Sequence, residues 1–188
     1  MLIFLIIVIV IVLFLLWLFI GGRNRLVRLS VGVDESSAQI NTQLQRRYDL
    51  IPNLVETVKG YAKHEQETFD KVTEARNAIG TALKNADPAT ITAAEQQYQQ
   101  ARLAINAVAE NYPDLKANQN FLALQEELTS TENKVAFSRQ AYNDSVRDYN
   151  IGIQAFPTVL IAGMFGYHKR DMFEVASDAV KEAPKVSF

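Results

Sequence analysis

The sequence predicts an all-α protein: one apolar membrane-spanning helix at the N-terminus, then a bundle of amphipathic helices. Three observations carry this. Residues 1–20 contain no charged or polar side chain. From Leu26 onward, apolar residues recur at steps of three and four, and no stretch of any length alternates with period two. Glycine and proline are nearly confined to a few joints between the periodic segments, so local and global signals agree.

The first segment reads MLIFLIIVIVIVLFLLWLFI. At about 1.5 Å rise per residue this is roughly 30 Å of helix, the thickness of a hydrocarbon core. Each Leu, Ile, Val or Phe near mid-membrane contributes roughly 0.3–0.6 kcal/mol to insertion, and nothing in the run offsets it. A cleaved signal peptide normally has a basic n-region and an A-x-A-like site. Here no basic side chain precedes the run, and Gly21-Gly22-Arg23 follows it. A buried soluble helix is rarely apolar on every face over this length. Trp17 suits the headgroup level. Arg23, Arg25 and Arg28 come at once after the span. The positive-inside rule therefore predicts an external N-terminus and a cytoplasmic remainder.

The roughly 168 residues after the span suffice for one domain with a real core. With 19 basic and 21 acidic residues the net charge is −2, which is not the balance of a nucleic-acid binder. The chain has no cysteine, which excludes disulfides, thiolate metal sites and thiol catalysis.

Taken in order, the first seam comprises Leu26, Leu29, Val33, Ile40, Leu44, Ile51, Leu54, Val58, Tyr61, Phe69, Val72 and Ile79. Its spacing is that of a helix facing partner helices. Pro52 interrupts it, since an interior proline removes a hydrogen bond and clashes with the preceding turn at a cost of about 3 kcal/mol. Two readings follow: one long helix with a kink, or a helix ending near Tyr48 and a second starting at Asp49 as N-cap. Lys84-Asn85-Ala86-Asp87-Pro88 is the clearest turn, with Asp87 as cap and Pro88 at the first helical position. The next helix shows Ile91, Ala94, Tyr98, Ala101, Ile105, Val108 and Tyr112, and Pro113 ends it, with Asp114 able to cap its successor. The last long helix shows Phe121, Leu124, Leu128, Val135, Tyr142, Val146, Tyr149, Ile153 and Phe156, closed by Pro157. The chain thus divides into an anchor (1–22), a helical domain (23–156) and a tail (157–188).

The helical register puts Arg47, Glu65, Arg76, Glu132 and Arg139 on inner faces. Inter-helix ion pairs that fix register are the plain reading; a coupled carboxylate pair is the chemical one. The tail stretch TVLIAGMFGY, residues 158–167, is too short to span. It either packs under the bundle or lies in the membrane interface through Leu160, Ile161, Met164 and Phe165, with His168-Lys169-Arg170 at the headgroups. The second case needs an even number of bundle helices, hence a reversal near Pro52. Residues 176–188 look loosely held.

Motifs for chemistry are missing. His64-Glu65-Gln66-Glu67-Thr68 lacks the second histidine of an H-E-x-x-H zinc site, and no Glu-x-x-His pair suits a di-iron site. There is no phosphate loop and no nucleophile elbow. The sequence therefore predicts no enzyme, no cofactor and no metal.

One segment is distinctive beyond its periodicity: Leu44-Gln45-Arg46-Arg47-Tyr48-Asp49-Leu50-Ile51-Pro52-Asn53-Leu54-Val55, then Val58-Lys59-Gly60-Tyr61-Ala62-Lys63-His64-Glu65. It resembles the signature of the LemA family. So do Ala109-Glu110-Asn111-Tyr112-Pro113-Asp114-Leu115-Lys116-Ala117-Asn118, Ser138-Arg139-Gln140-Ala141-Tyr142-Asn143-Asp144, and Tyr149-Asn150 with Phe156-Pro157. Gly166-Tyr167 stands where that family usually has Gly-Phe. The resemblance implies an antiparallel four-helix bundle on a single N-terminal span, with the bundle in the cytoplasm, and it favours two helices at Pro52. It supplies no reaction. Relatives are associated with membrane organisation, magnetosome membranes included, and some are encoded beside membrane metalloproteases.

The expected function is that of a membrane-anchored interaction or scaffold protein at the bacterial inner membrane. Its partners would be the bilayer, other copies of the chain, or a membrane protein such as a metalloprotease. Adaptor and membrane-remodelling roles stand as alternatives. The candidate interaction or structural residues are Arg46, Arg47, Asp49, Pro52, Asn53, Arg76, Glu132 and Arg139. Within the signature, Asp49, Pro52 and Asn53 would form either a capped joint or a docking face.

Overall fold

The computed structural model describes residues 1–174. Every regular element among them is helical: α1 (Leu2–Lys59), α2 (Gln66–Asn85), α3 (Pro88–Asn111), α4 (Pro113–Lys116), α5 (Gln119–Gln154) and α6 (Val159–Ala162), followed by a 3₁₀ turn, Gly163–Phe165. The segment 176–188 that the sequence reading expects to be loosely held lies outside the described residues.

α1 sets the frame. It is one helix of 58 residues, roughly 87 Å long at 1.5 Å per residue. Residues 1–17 are exposed on every face, which a core helix of that composition would not tolerate. The segment is long and apolar enough to cross a membrane. Beyond it, burial turns periodic: Gly22, Leu26, Val33, Ser36, Ile40, Leu44, Arg47, Ile51, Leu54 and Val58 face the protein interior.

Here two expectations need correction. The helix does not end at Tyr48 and Asp49 caps nothing; Pro52 sits inside α1. The turn to α2 comes later, over Gly60–Glu65, where Tyr61 and Ala62 both donate backbone N–H groups to the Val58 carbonyl. The seam through Pro52 was continuous because the helix is. The reversal inferred from the tail exists, but at this later turn. Tyr61, expected in the seam, is exposed, and Ala62 beside it is buried instead.

The α2–α3 turn follows the sequence expectation. Asp87 accepts from the backbone N–H groups of Ala89 and Thr90 at 3.1 and 2.9 Å. Pro88 opens α3, and Ala86 before it takes a left-handed φ of 52°. At the next joint the expectation is half right. Pro113 does end the register of α3, but it opens the short α4, and Asn118 rather than Asp114 caps α5 by accepting from the Phe121 N–H at 3.0 Å. Leu115 of α4 seals the core beneath this joint.

α5 lies along α1 with its partners in opposite order. Leu29 packs where Gly152 has no room for a Cβ. Ser36 bonds Ser145 at 2.9 Å, Arg47 reaches Thr131 at 3.4 Å, and Arg46 pairs with Glu127 at 2.7 Å. α2 and α3 pair with each other, and α2 also packs on α1. Across from them α3 and α5 are joined mostly by polar side chains, Arg102 and Gln99 to Glu132 and Gln125 to Asn106. Between the long helices is a cavity of about 60 Å³, with Ile51, Val72, Tyr98, Ile105 and Leu128 among its walls.

Candidate interaction site

Halfway along the helical domain the apolar seam gives way to a polar layer. Arg47 is its centre, with 0 % of its side chain exposed. Its Nη1 pairs with Glu95 of α3, its Nε donates to Thr131 of α5, and its guanidinium lies 4.1 Å from the centroid of the Tyr98 ring. Nη2 and the Tyr98 hydroxyl have no partner among the described residues. A second ion pair, Arg102–Glu132, lies at the edge of the same layer, with Gln99 Nε2 donating to Glu132 at 2.7 Å. Burial pushes the Tyr98 hydroxyl above the ordinary tyrosine range. Glu95 and Glu132 each pair with a guanidinium. Ion pairs of this kind between helices fix their register.

Arg76 stands one helix away. Its guanidinium lies 4.1 Å from the Tyr48 ring centroid, and its Nε donates to the Tyr48 backbone carbonyl. The other signature residues point outward. Arg46 is half-exposed in its pair with Glu127. Asp49 accepts from Gln45 one turn earlier, and Asn53 is exposed with its carbonyl accepting from Thr57. At the α1–α2 turn, Tyr112 donates to Glu65 at 3.0 Å, and this bond holds its hydroxyl above the usual range. His64 is exposed, and among the described residues no three His, Asp or Glu side chains converge.

The tail gives the arrangement that sequence reasoning missed. Residues 167–174 run without helical structure along α5 and are held by a dipeptide repeated seven residues apart, Tyr142-Asn143 and Tyr149-Asn150. Asn150 donates to the Arg170 carbonyl and accepts from its N–H, at 2.9 and 3.0 Å. Asn143 does the same for Phe173, at 3.0 and 2.8 Å. Tyr149 and Tyr142 donate to the carbonyls of His168 and Asp171. Arg139 lies 4.7 Å from the centroid of the Phe173 ring, and Arg170 pairs with Asp34 of α1. The sequence reading left open a tail packed on the bundle or one with Arg170 at the headgroups; in the structure Arg170 packs against α1 and α5. Asp34 stands roughly 20 Å beyond the apolar run at 1.5 Å per residue, and it draws Arg170 there.

The pattern of the LemA family matches residues 36–188. The chain belongs to the LemA family. It is 26 % identical over 170 residues to Protein LemA of Metamycoplasma hominis, covering 90 % of this chain and 74 % of that protein. It is 25 % identical over 174 residues to Magnetosome protein MamQ 2 of Paramagnetospirillum magneticum, and 21 % over 173 residues to Magnetosome protein MamQ of Magnetospirillum gryphiswaldense. Each of these two matches covers 80 % of this chain and spans 64 % of the magnetosome protein's length. Neither name denotes an enzyme.

The LemA signature segments now have physical roles in this chain. The run around Arg47 supplies the buried cation, and Pro52 leaves a carbonyl for Arg76. The segment ending at Asn118 supplies the α5 cap. The Tyr-Asn pairs supply the tail clamp, for which the only sequence cue was their repetition at heptad spacing. Glu95 and Arg102 stand seven apart beside the α3 seam, which puts both on one face of α3 but does not point to Arg47 or Glu132.

Proposed function

We propose that this LemA family protein is a non-enzymatic scaffold: an antiparallel four-helix bundle carried on a single-pass anchor at the bacterial inner membrane, facing the cytoplasm. The observation that supports it most is the continuity of α1. One helix runs from the apolar segment through Gly22 into the shared core, so the bundle is an extension of the anchor and not a domain on a flexible linker. About 55 Å of helix separates Gly22 from the α1–α2 turn, at 1.5 Å per residue. A body of this kind holds a polar end at a set height above the bilayer. The interior charges are committed to partners in other helices, which favours a shape-holding role over catalysis. The names of the magnetosome relatives tie those proteins to a membrane structure, which favours a role in organising membrane-bound components.

Exposed Phe137 and Leu122 on α5 and Leu103 on α3 are among the apolar side chains available to a partner on the bundle surface. A photo-crosslinking residue placed at each of these positions in the full-length chain, in living cells, tests the proposal. The scaffold reading expects discrete adducts with the chain itself or with several membrane proteins. One other membrane protein in fixed ratio, a metalloprotease for example, would replace it with an adaptor role. No adduct at any position would contradict both.

A further inference from the structure

We infer that the knuckle formed by α6 and the 3₁₀ turn, residues 159–165, is a second membrane contact, seated in the interface of the leaflet from which α1 emerges. The inference rests on α1 being a membrane span. No charged residue stands between Asp148 and His168. The knuckle is fixed in place: Ile161 and Ala162 are buried, and the Thr158 hydroxyl donates to the Ala155 carbonyl at 2.9 Å. It sits tightly on α1 because Gly22 lets it. A Cβ at that glycine would lie 2.9 Å from Ile161 Cδ1.

Its depth follows from two contacts. The Phe165 ring centroid is 5.6 Å from that of Phe19, the penultimate residue of the apolar run, and Arg23 lies 5.2 Å over the same ring. Phe165 is therefore level with the boundary between the last apolar turn and the first arginine. Leu160 and Met164 of the same short segment are 66 % and 75 % exposed. An isolated exposed apolar residue needs no explanation, but a rigid, charge-free cluster continuous with the end of a span does. Lipid at the headgroup–acyl boundary is the occupant that this level dictates, and interfacial segments bury their apolar face there. Two contacts on one leaflet also fix the tilt of the bundle, which a single span leaves to the bilayer.

The test uses the full-length chain in phosphatidylcholine–phosphatidylglycerol vesicles. Because the chain has no cysteine, single replacements Met164→Cys, Phe14→Cys and Leu103→Cys each accept one environment-sensitive fluorophore. Lipids brominated near the top of the acyl chain and aqueous iodide then serve as quenchers. The inference expects bromolipid to reduce Met164-probe emission roughly two-fold, as for a group about 5–10 Å below the headgroups, with little effect on the Leu103 probe. If the Phe14 probe is quenched by bromolipid while the Met164 probe answers only to iodide, the knuckle inference fails and the span stands. If the Met164 probe answers to neither, the face is covered by protein and the inference is overturned in favour of a second copy or a partner. If the Phe14 probe itself escapes bromolipid, both readings fail.

Discussion

Arg76 of α2 donates from Nε to the Tyr48 carbonyl at 3.5 Å, and that carbonyl is the one Pro52 deprives of its helical donor. An interior proline has no N–H to give to the residue four positions before it. The neighbouring helix supplies a charged donor in its place and lays the guanidinium over the Tyr48 ring.

This arrangement predicts the sign of a substitution. In a turn, Pro52→Ala would destabilise; inside α1 it restores a hydrogen bond and stabilises the protein by about 1 kcal/mol, less than the ~3 kcal/mol of an uncompensated proline. Arg76→Met costs about 1–2 kcal/mol in the parent chain. It costs roughly 0.5–1 kcal/mol less in the Pro52→Ala background, where the carbonyl has its own donor. Thermal unfolding of the four proteins in one detergent measures the cycle. Additive effects would show that the proline and the arginine are unconnected.

The buried pair gives the largest expected effect. Glu95→Gln or Arg47→Met leaves one partner of a buried ion pair unmatched and costs about 3–5 kcal/mol. Replacing both by methionine returns most of that stability, because a buried pair and an apolar pair of like volume are often of similar net value. Denaturant midpoints report both outcomes. A double variant as unstable as the worse single one would mean that the layer does more than satisfy its own charges.

Tyr98 tests the layer through pH. Its folded-state hydroxyl is held above the ordinary value by burial, so its contribution to stability is complete below about pH 10 and is lost as pH rises through the folded-state value. Tyr98→Phe keeps the ring over Arg47 and removes a hydroxyl that has no partner among the described residues. At neutral pH its Tm should match or slightly exceed the parent's. Between pH 9 and 11 (a range around the ordinary tyrosine value) the difference should widen in favour of the variant. A gap that closes over that range contradicts the assignment.

The tail clamp is separable. Asn150→Ala removes both bonds to Arg170 but neither bond to Phe173. Hydrogen exchange of the Arg170 amide should accelerate by roughly ten-fold, as for loss of one or two hydrogen bonds of about 1 kcal/mol each. The Phe173 amide should change far less. Equal acceleration at both would mean that the strap opens as one unit.

The all-helical class with one long apolar N-terminal helix was legible because it depends on long, repetitive signals: a charge-free run and a seam in which ten of the twelve named apolar positions are buried. Asp87-Pro88 was legible for the same reason that it works, a capping oxygen followed by a residue needing no donor. Pro52 was not, because the compensation comes from Arg76, distant in sequence. The partners of Arg47 were hidden likewise: Glu95, Tyr98 and Thr131 lie on two other helices, and no local spacing joins them. Ile161 read as a membrane residue and is buried on Gly22, whereas Leu160, Met164 and Phe165 on the same short segment are exposed. Hydropathy cannot separate faces on a segment of one turn.

α1 is proposed to cross the membrane once and to carry the bundle on its cytoplasmic side. Site-directed labelling with a membrane-impermeant maleimide tests it most directly. A cysteine on a short Ser-Gly extension ahead of Met1 and Leu103→Cys are made separately in the full-length chain, and intact and permeabilised cells are compared. The N-terminal extension cysteine should label in intact cells, whereas Leu103→Cys should label only after permeabilisation. Labelling of Leu103→Cys in intact cells would put the bundle outside and contradict the proposal.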